Sequence, residues 1–338
     1  SAATDEPQTS SEPASSEEPT VPDEPVLFAD ARFENAVRNQ LGVFMGDPLT
    51  PSRLAGVTTL DLSGMSLTDI SDVKWFTGLK KLVLNGNKIE DLAPLGELKT
   101  LEALELADCG VSDLSVLSEL FGLKTLSLAS NPITDLSPLS GLTSLEALNL
   151  EAYKGEPLDV SPLAGLISLK KLTVQTDDLS PLAGLSGMHE LSITGNFTDL
   201  DALSGMTQLK TLYIYAGWDS GTQRTYRHLD IKGLAPLTEL RQLHMQFAET
   251  DDIEPLSGMT SLFHLALINV NIEDLTPLSK LEKLNDLFLT GNGLTDLTPL
   301  YGLTSLVEVH IQDNPVTSEQ VDELRKKLPG CYVGFDNY

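Results

Sequence analysis

Aromatic, histidine and arginine side chains gather in the second half of the chain, and their types favour molecular recognition. Most of them recur at alternate positions of short apolar segments, and the others follow one such segment directly: Tyr213, Tyr215, Trp218, Arg224, Tyr226, His244, His264, Phe288 and His310. Exposed aromatic and guanidinium groups dominate the binding energy of many interfaces. We therefore predict a ligand-binding surface here. The alternative is that the rings pack only on one another or on the folded-down segment around Trp218.

Catalytic and metal-binding patterns are missing from the sequence. It contains no G-x-S-x-G, P-loop, H-E-x-x-H or paired zinc-ligand spacing. His244 and His264 are predicted to lie on neighbouring strands, whereas His310 lies two strands further along. Aspartate pairs such as Asp177-Asp178 are too short for a calcium loop. We predict that the chain is not an enzyme and holds no cofactor or metal.

Eleven aspartates occupy, or nearly occupy, the same place in a repeated Asp-Leu-x-Pro-Leu pattern. A carboxylate at this place accepts a hydrogen bond from the amide two residues on, and the proline favours a short helical turn. This capping role accounts for much of the net charge of −27. The predicted caps are Asp69, Asp91, Asp113, Asp135, Asp159, Asp178, Asp199, Asp230, Asp252, Asp274 and Asp296.

Composition narrows the class of partner. A strongly acidic chain lacks the basic patch that nucleic acid or an anionic membrane surface requires. No apolar run approaches the roughly 20 residues of a transmembrane helix. Residues 1–25 carry seven acids, five prolines and no Lys or Arg, which predicts a disordered acidic Ser/Pro/Glu linker.

A repeat of about 22 residues must position these side chains. Apolar residues three and five places after the start of each unit face inward from a short strand, and the second, fourth and sixth places face outward. Asparagine recurs at the eighth place, where a buried amide can bond the backbone of adjacent coils. The twelve units begin at Val57, Leu79, Leu101, Leu123, Leu145, Leu169, Met188, Leu209, Leu240, Leu262, Leu284 and Leu306.

The outward places differ along the chain. In the first half they hold small or polar residues without a single aromatic ring, and from the eighth unit onward they hold tyrosine, histidine and phenylalanine. The eighth unit is also stretched to 31 residues, which adds Trp218, Arg224 and Tyr226 after the strand. We predict that this insertion overhangs the recognition surface.

The two cysteines are too far apart to pair. Cys109 takes the asparagine place in the third unit and Cys331 follows the twelfth, so about nine strand spacings, on the order of 40 Å, separate them. A disulfide needs Cα atoms within about 7 Å.

Both ends of the repeat carry helix signals. Asp30 can cap a helix with Phe33 and Val37 on one face, and Ser318 begins a helix that stops at Pro329. We predict a linker at 1–25, a helical N-terminal cap at 26–56, repeats at 57–317 and a C-terminal cap at 318–338.

The repeat N-x-I-x-D-L-x-P-L, with a helical cap entering at Val57-Thr58-Thr59-Leu60, resembles the internalin-like family of bacterial leucine-rich-repeat proteins over roughly residues 26–335. The resemblance implies an α/β fold: a right-handed solenoid with a concave parallel β-sheet, short convex 3-10 turns and helical caps. It also implies a cell-surface adhesin or sensor, extracellular and not enzymatic.

We accordingly predict a monomeric module that binds a protein partner through the concave face. Two alternatives stay open: a glycan stacked on Tyr213, Tyr215 and Trp218, or a passive structural role at the surface. The acidic stalk resembles that of a lipoprotein, so we expect a lipid-modified cysteine just upstream of Ser1.

Overall fold

The computed structural model describes residues 23–151, 156–217 and 227–335. Most of the predicted linker lies outside these ranges, and so do Trp218, Arg224 and Tyr226. The predicted overhang of the insertion is therefore not tested.

Thirteen strands within the described ranges form one parallel sheet whose order follows the sequence. They are β1 Thr59–Asp61, β2 Lys81–Val83, β3 Ala103–Glu105, β4 Thr125–Ser127, β5 Ala147–Asn149, β6 Lys171–Gln175, β7 Glu190–Gly195, β8 Thr211–Ala216, β10 Gln242–Gln246, β12 His264–Ile268, β13 Asp286–Phe288, β14 Glu308–His310 and β15 Tyr332–Gly334. A separate two-stranded sheet pairs β9 Arg227–His228 with β11 Ala248–Glu249. The twelve predicted strands are confirmed, and the C-terminal segment adds a thirteenth.

Inward-facing leucines form continuous columns because the strands pair in register. Leu60 lies beside Leu82 and Leu82 beside Leu104, and all three are fully buried. Each buried leucine contributes about 1.5–3 kcal/mol relative to an exposed one. Stacking of identical units, rather than a central core, therefore stabilises the solenoid.

Short 3-10 helices connect successive strands on the far side of each coil. They span Ser71–Trp75, Ala93–Glu97, Ser115–Glu119, Ser137–Leu139, Ser161–Leu163, Ser180–Leu182, Asp201–Leu203, Lys232–Leu234, Glu254–Leu256, Thr276–Lys280 and Thr298–Leu300. Each of the eleven predicted aspartates accepts a hydrogen bond from the amide two residues on. The capping prediction is confirmed.

A ladder of asparagines ties neighbouring coils together. Asn87, which is buried, accepts from the Leu67 amide at 2.9 Å and donates to the Leu62 and Leu84 carbonyls. Asn131, Asn292 and Asn314 form the equivalent bonds. Cys109 continues the column, with its Sγ 3.1 Å from the Leu84 carbonyl oxygen. Both cysteines are free, as predicted.

Three α-helices flank the repeats: α1 Ala31–Leu41, α2 Pro51–Ala55 and α3 Ser318–Lys327. The Asp30 side chain accepts from the Arg32 amide, and Gly42 ends α1 in the left-handed conformation at φ 63°. Phe33 packs against Phe76 of the first coil with ring centroids 6.1 Å apart. No helix in these ranges is long and apolar enough to cross a bilayer.

The strands lengthen in the middle of the chain, where the units are irregular. β6, β7, β8, β10 and β12 have five or six residues, whereas the strands on either side have three. In one coil that lacks the asparagine, a threonine makes a bond to the preceding coil instead: the Thr176 hydroxyl donates to the Leu158 carbonyl. The longer strands add another row of outward side chains to the concave face.

Candidate recognition surface

The register places the predicted rings side by side on the concave face. Tyr213 lies beside His244 across β8 and β10, and Phe288 lies beside His310 across β13 and β14. We call the whole set the aromatic row: Tyr213, Tyr215, His244, His264, Phe288, His310 and Tyr332. The structure thus brings together every predicted site residue that it describes.

The first part of the aromatic row is a tyrosine–histidine cluster. The His244 ring centroid lies 6.0 Å from that of Tyr213 and 5.3 Å from that of Tyr215. Its Nε2 is inaccessible to solvent and has no hydrogen-bond partner. Burial lowers the pKa of His244, so the imidazole is neutral at pH 7. Burial likewise raises the pKa of Tyr215.

The second part of the aromatic row is centred on Phe288. Its ring lies 5.2 Å from that of His264 and stacks on His310 at 4.6 Å with an interplanar angle of 9°. Carboxylates hold the two imidazoles from the side, because His264 Nδ1 is 3.5 Å from Asp286 and His310 Nε2 is 3.3 Å from Glu308. These contacts orient the rings as a continuous apolar and aromatic surface.

Tyr332 extends the row beyond the predicted set. It lies on β15, is 56% exposed, and its ring is 5.7 Å from that of His310. The signal was present in the sequence: alternation with the inward Val333 places Tyr332 outward on a strand that closes the last coil.

Ala266 lies between the two clusters in the register, since His244 pairs with it on one side and Phe288 on the other. Its methyl group does not reach the height of the flanking rings. The aromatic row is therefore a surface of two raised clusters with a lower centre.

A groove of about 720 Å³ runs beside the first cluster, from β4 to β10. Tyr213, Tyr215 and Phe247 form its apolar wall. The remaining lining mixes aliphatic and charged residues with polar side chains, including Ser127, Asn149, Thr173, Gln175, Ser192 and Thr194. Concave residues before the eighth unit, outside the predicted site, thus share a cavity with the predicted tyrosines.

The three histidines of the aromatic row do not converge on one point. Phe288 separates His264 from His310, and Ala266 follows His244 in the register. Across the described ranges, no group of three or more His, Cys, Asp or Glu side chains is arranged to hold a metal ion.

Known proteins share both the repeat and the fold. A family model described as Leucine Rich repeats (2 copies) matches residues 122–154. A comparison with curated protein sequences finds no match. Together, the parallel sheet, the 3-10 turns and the asparagine ladder define a leucine-rich-repeat solenoid.

Solved structures show which leucine-rich-repeat proteins this chain is similar to. An internalin (InlF) from Listeria monocytogenes superposes with a TM-score of 0.81 at 28% identity, covering 92% of this chain and 91% of that one. A leucine-rich-repeat protein of Leptospira interrogans gives a TM-score of 0.57 at 20% identity, with coverages of 84% and 91%. A plant peptide hormone receptor in complex with RGF2 gives a TM-score of 0.62 at 18% identity, covering 81% of this chain and 47% of that one. The chain therefore has a leucine-rich-repeat fold that is similar to that of an internalin.

Proposed function

We propose that the chain is a non-enzymatic recognition module that binds a protein partner through its concave face. The observation that supports this most strongly is the aromatic row, in which neighbouring rings within each of the two clusters lie 4.6–6.0 Å apart. Hydrogen-bonded strands hold these rings in place, so little conformational entropy is lost when a partner docks. Rigid aromatic anchors of this kind are typical binding hot spots.

The extent of the aromatic row favours a protein over a compact ligand. From β8 to β15 it crosses five strand spacings, or roughly 24 Å. A stable protein interface buries about 800 Å² on each partner, which requires a surface of this length. Tyr213 at 36% exposure and Tyr332 at 56% mark its two ends.

A glycan is the second candidate, and the groove supports it. Its wall of Tyr213 and Tyr215 faces small hydroxyl and amide side chains that suit a sugar. A glycan platform would be compact, so the single change Tyr213→Ala would abolish binding. A protein interface spread over the whole row would only weaken after that change.

The likeness to an internalin also supports a place outside the cell, on the bacterial surface, with a role in adhesion. The expected lipid anchor stays a prediction. Mass spectrometry of the mature protein in its native host would detect a lipid-modified cysteine just upstream of Ser1, and an unmodified N-terminus would contradict it.

The test is a binding screen of the purified chain against surface-protein and glycan libraries, with a variant of the aromatic row run in parallel. Tyr213→Ala, Phe288→Ala and Tyr332→Ala together should weaken protein binding at least about 100-fold, because each removed anchor contributes about 1–2 kcal/mol. These side chains are not fully buried, so the melting temperature should change little.

The matched control removes two exposed apolar side chains from the turns outside the sheet, Phe121→Ala and Ile167→Ala. It should bind like the wild type. Unchanged binding by the aromatic-row variant would refute the proposed site, and no partner in either library would favour a passive structural role.

A further inference from the structure

A second ordered surface lies along the edge of the sheet, at the residue just before each strand. The backbone amide of each such residue donates to the carbonyl of its counterpart one coil earlier, for example Lys210 to His189 at 2.8 Å and Arg241 to Lys210 at 2.9 Å. We call this set the rim row: Lys80, Glu102, Lys124, Glu146, Lys170, His189, Lys210, Arg241, Phe263, Asn285 and Val307. Its side chains therefore stand next to one another from coil to coil.

In the first part of the rim row, each lysine is ion-paired. Lys80 and Lys124 both bind Glu102, at 3.0 and 2.7 Å, and Lys170 binds Glu146 at 2.6 Å. Exposed pairs like these add little stability. They do, however, leave no unpaired cation for a partner in this part of the rim.

The alternation of charge stops after Lys170. His189, Lys210 and Arg241 follow in three successive coils, and none of them has a carboxylate within ion-pair distance among the described residues. Lys210 and Arg241 are exposed. In a chain with a net charge of −27, two adjacent cations without partners form a local site of opposite sign.

Beyond the cations the rim row becomes apolar. Phe263 is 50% exposed and Val307 is 54% exposed, with Asn285 between them. Phe263 also precedes His264, so this part of the rim borders the aromatic row. Exposed apolar side chains aligned beside unpaired cations are characteristic of an interaction surface.

We propose that the rim row from Lys210 to Val307 binds a polypeptide segment in which acidic residues are followed by apolar ones. The acidic residues would pair with Lys210 and Arg241, and the apolar ones would cover Phe263 and Val307. Four strand spacings, or roughly 19 Å, separate the ends of this stretch, and about six residues of extended peptide cover that length. The inference rests on the proposed function and specifies the chemistry of its partner.

The apolar part of the rim favours a polypeptide over a sulfated glycan. Both would satisfy the two cations, but the Val307 isopropyl group offers no flat face on which a sugar ring can stack. Aliphatic side chains of a peptide pack on it without that requirement.

The experiment is selection of a displayed library of random 12-residue peptides on the purified chain. Wild type should enrich peptides with clustered Asp or Glu followed by Leu, Phe or Tyr. The selected peptide should associate with Lys210→Ala/Arg241→Ala about tenfold more slowly, and this difference should shrink at high salt. Phe263→Ser/Val307→Ser should lose the apolar preference and keep the acidic one.

Lys80→Ala/Lys124→Ala is the matched control, because it also removes two cations from the rim row but takes them from ion pairs. It should bind the selected peptide like the wild type. Equal weakening in both lysine variants, or no acidic enrichment, would overturn the inference. So would binding of a heparin-derived octasaccharide that depends on Lys210 and Arg241 and is unaffected by Phe263→Ser/Val307→Ser.

The aromatic-row variant separates this inference from the proposed function. If the aromatic-row variant still binds the partner, the proposed concave site is wrong. The comparison of Lys210→Ala/Arg241→Ala with Lys80→Ala/Lys124→Ala still tests whether the rim row binds peptide. If these two variants bind the peptide equally well, the rim inference is wrong, and the proposal of a concave site is unaffected by that result.

Discussion

Asn87 illustrates how one side chain stabilises a repeat protein. It is only 2% exposed and makes hydrogen bonds to the backbone of three residues, at 2.6–2.9 Å, across two coils. Without the amide, those backbone groups are buried with no access to water. The cost of an unsatisfied buried polar group is about 1–3 kcal/mol, which exceeds the net gain of forming a typical hydrogen bond.

Replacing Asn87 by alanine should therefore lower the free energy of unfolding by about 3 kcal/mol, measured by urea denaturation followed by circular dichroism. The control is Asn285→Ala, since Asn285 is only partly buried and donates to the Ser305 carbonyl at 3.4 Å. It should cost less than about 1 kcal/mol. Equal losses in the two variants would show that the ladder does not carry this stability.

At the scale of the element, the 3-10 turns depend on ionised aspartates. The hydroxyl and the amide of Ser115 lower the pKa of Asp113, and those of Ser137 lower the pKa of Asp135 in the same way. Asp159 and Asp178 follow the same pattern with their own serines. Each of these four coils thus carries a titratable group that favours the folded state when it is ionised.

This gives a prediction for acid stability. A lowered carboxyl pKa contributes stability that is complete above the ordinary value of 3.8 and is lost as the pH falls through the folded-state pKa. The variant Asp113→Asn/Asp135→Asn/Asp159→Asn keeps a side-chain acceptor but cannot ionise. Its melting temperature should fall less than that of the wild type between about pH 4 and about pH 2.5. Parallel acid profiles would contradict this assignment.

The strands and turns of each coil also show how much of the fold can be predicted from the sequence. Strand starts, aspartate caps and the asparagine ladder follow from local spacing, because each coil repeats one set of contacts with its neighbour. The lengthening of β6 to β8 does not follow in the same way. It depends on how irregular coils stack on one another, which is a matter of tertiary packing.

At the scale of the whole molecule, the geometry of the proposed recognition surface could be predicted only in part. Alternation placed Tyr213 and Phe288 outward, but spacing along the chain gave neither the ring distances nor the stacking on His310. Tyr332 belongs to the aromatic row because β15 continues the sheet past the last repeat. The groove arises from curvature over several coils, so no single unit contains its signal.

The charged and apolar side chains of the rim row are unevenly distributed along the solenoid. Ion pairs engage the three lysines in the first half of the rim row, whereas the second half holds exposed apolar groups and cations that have no ion-pair partner among the described residues. The aromatic row lies on the same strands as that second half. Both rows support the proposal that the partner binds along the strands from β8 onward.

The most direct test of this account is hydroxyl-radical footprinting of the chain with a partner recovered from the library screen. Binding should protect Tyr213, Phe288 and Tyr332 from oxidation, because their rings would be covered by the partner. Phe121 and Ile167, exposed in the turns outside the sheet, should be oxidised equally with and without it. Protection of Phe121 and Ile167 with no change at the aromatic row would contradict the assignment of the concave face as the binding surface.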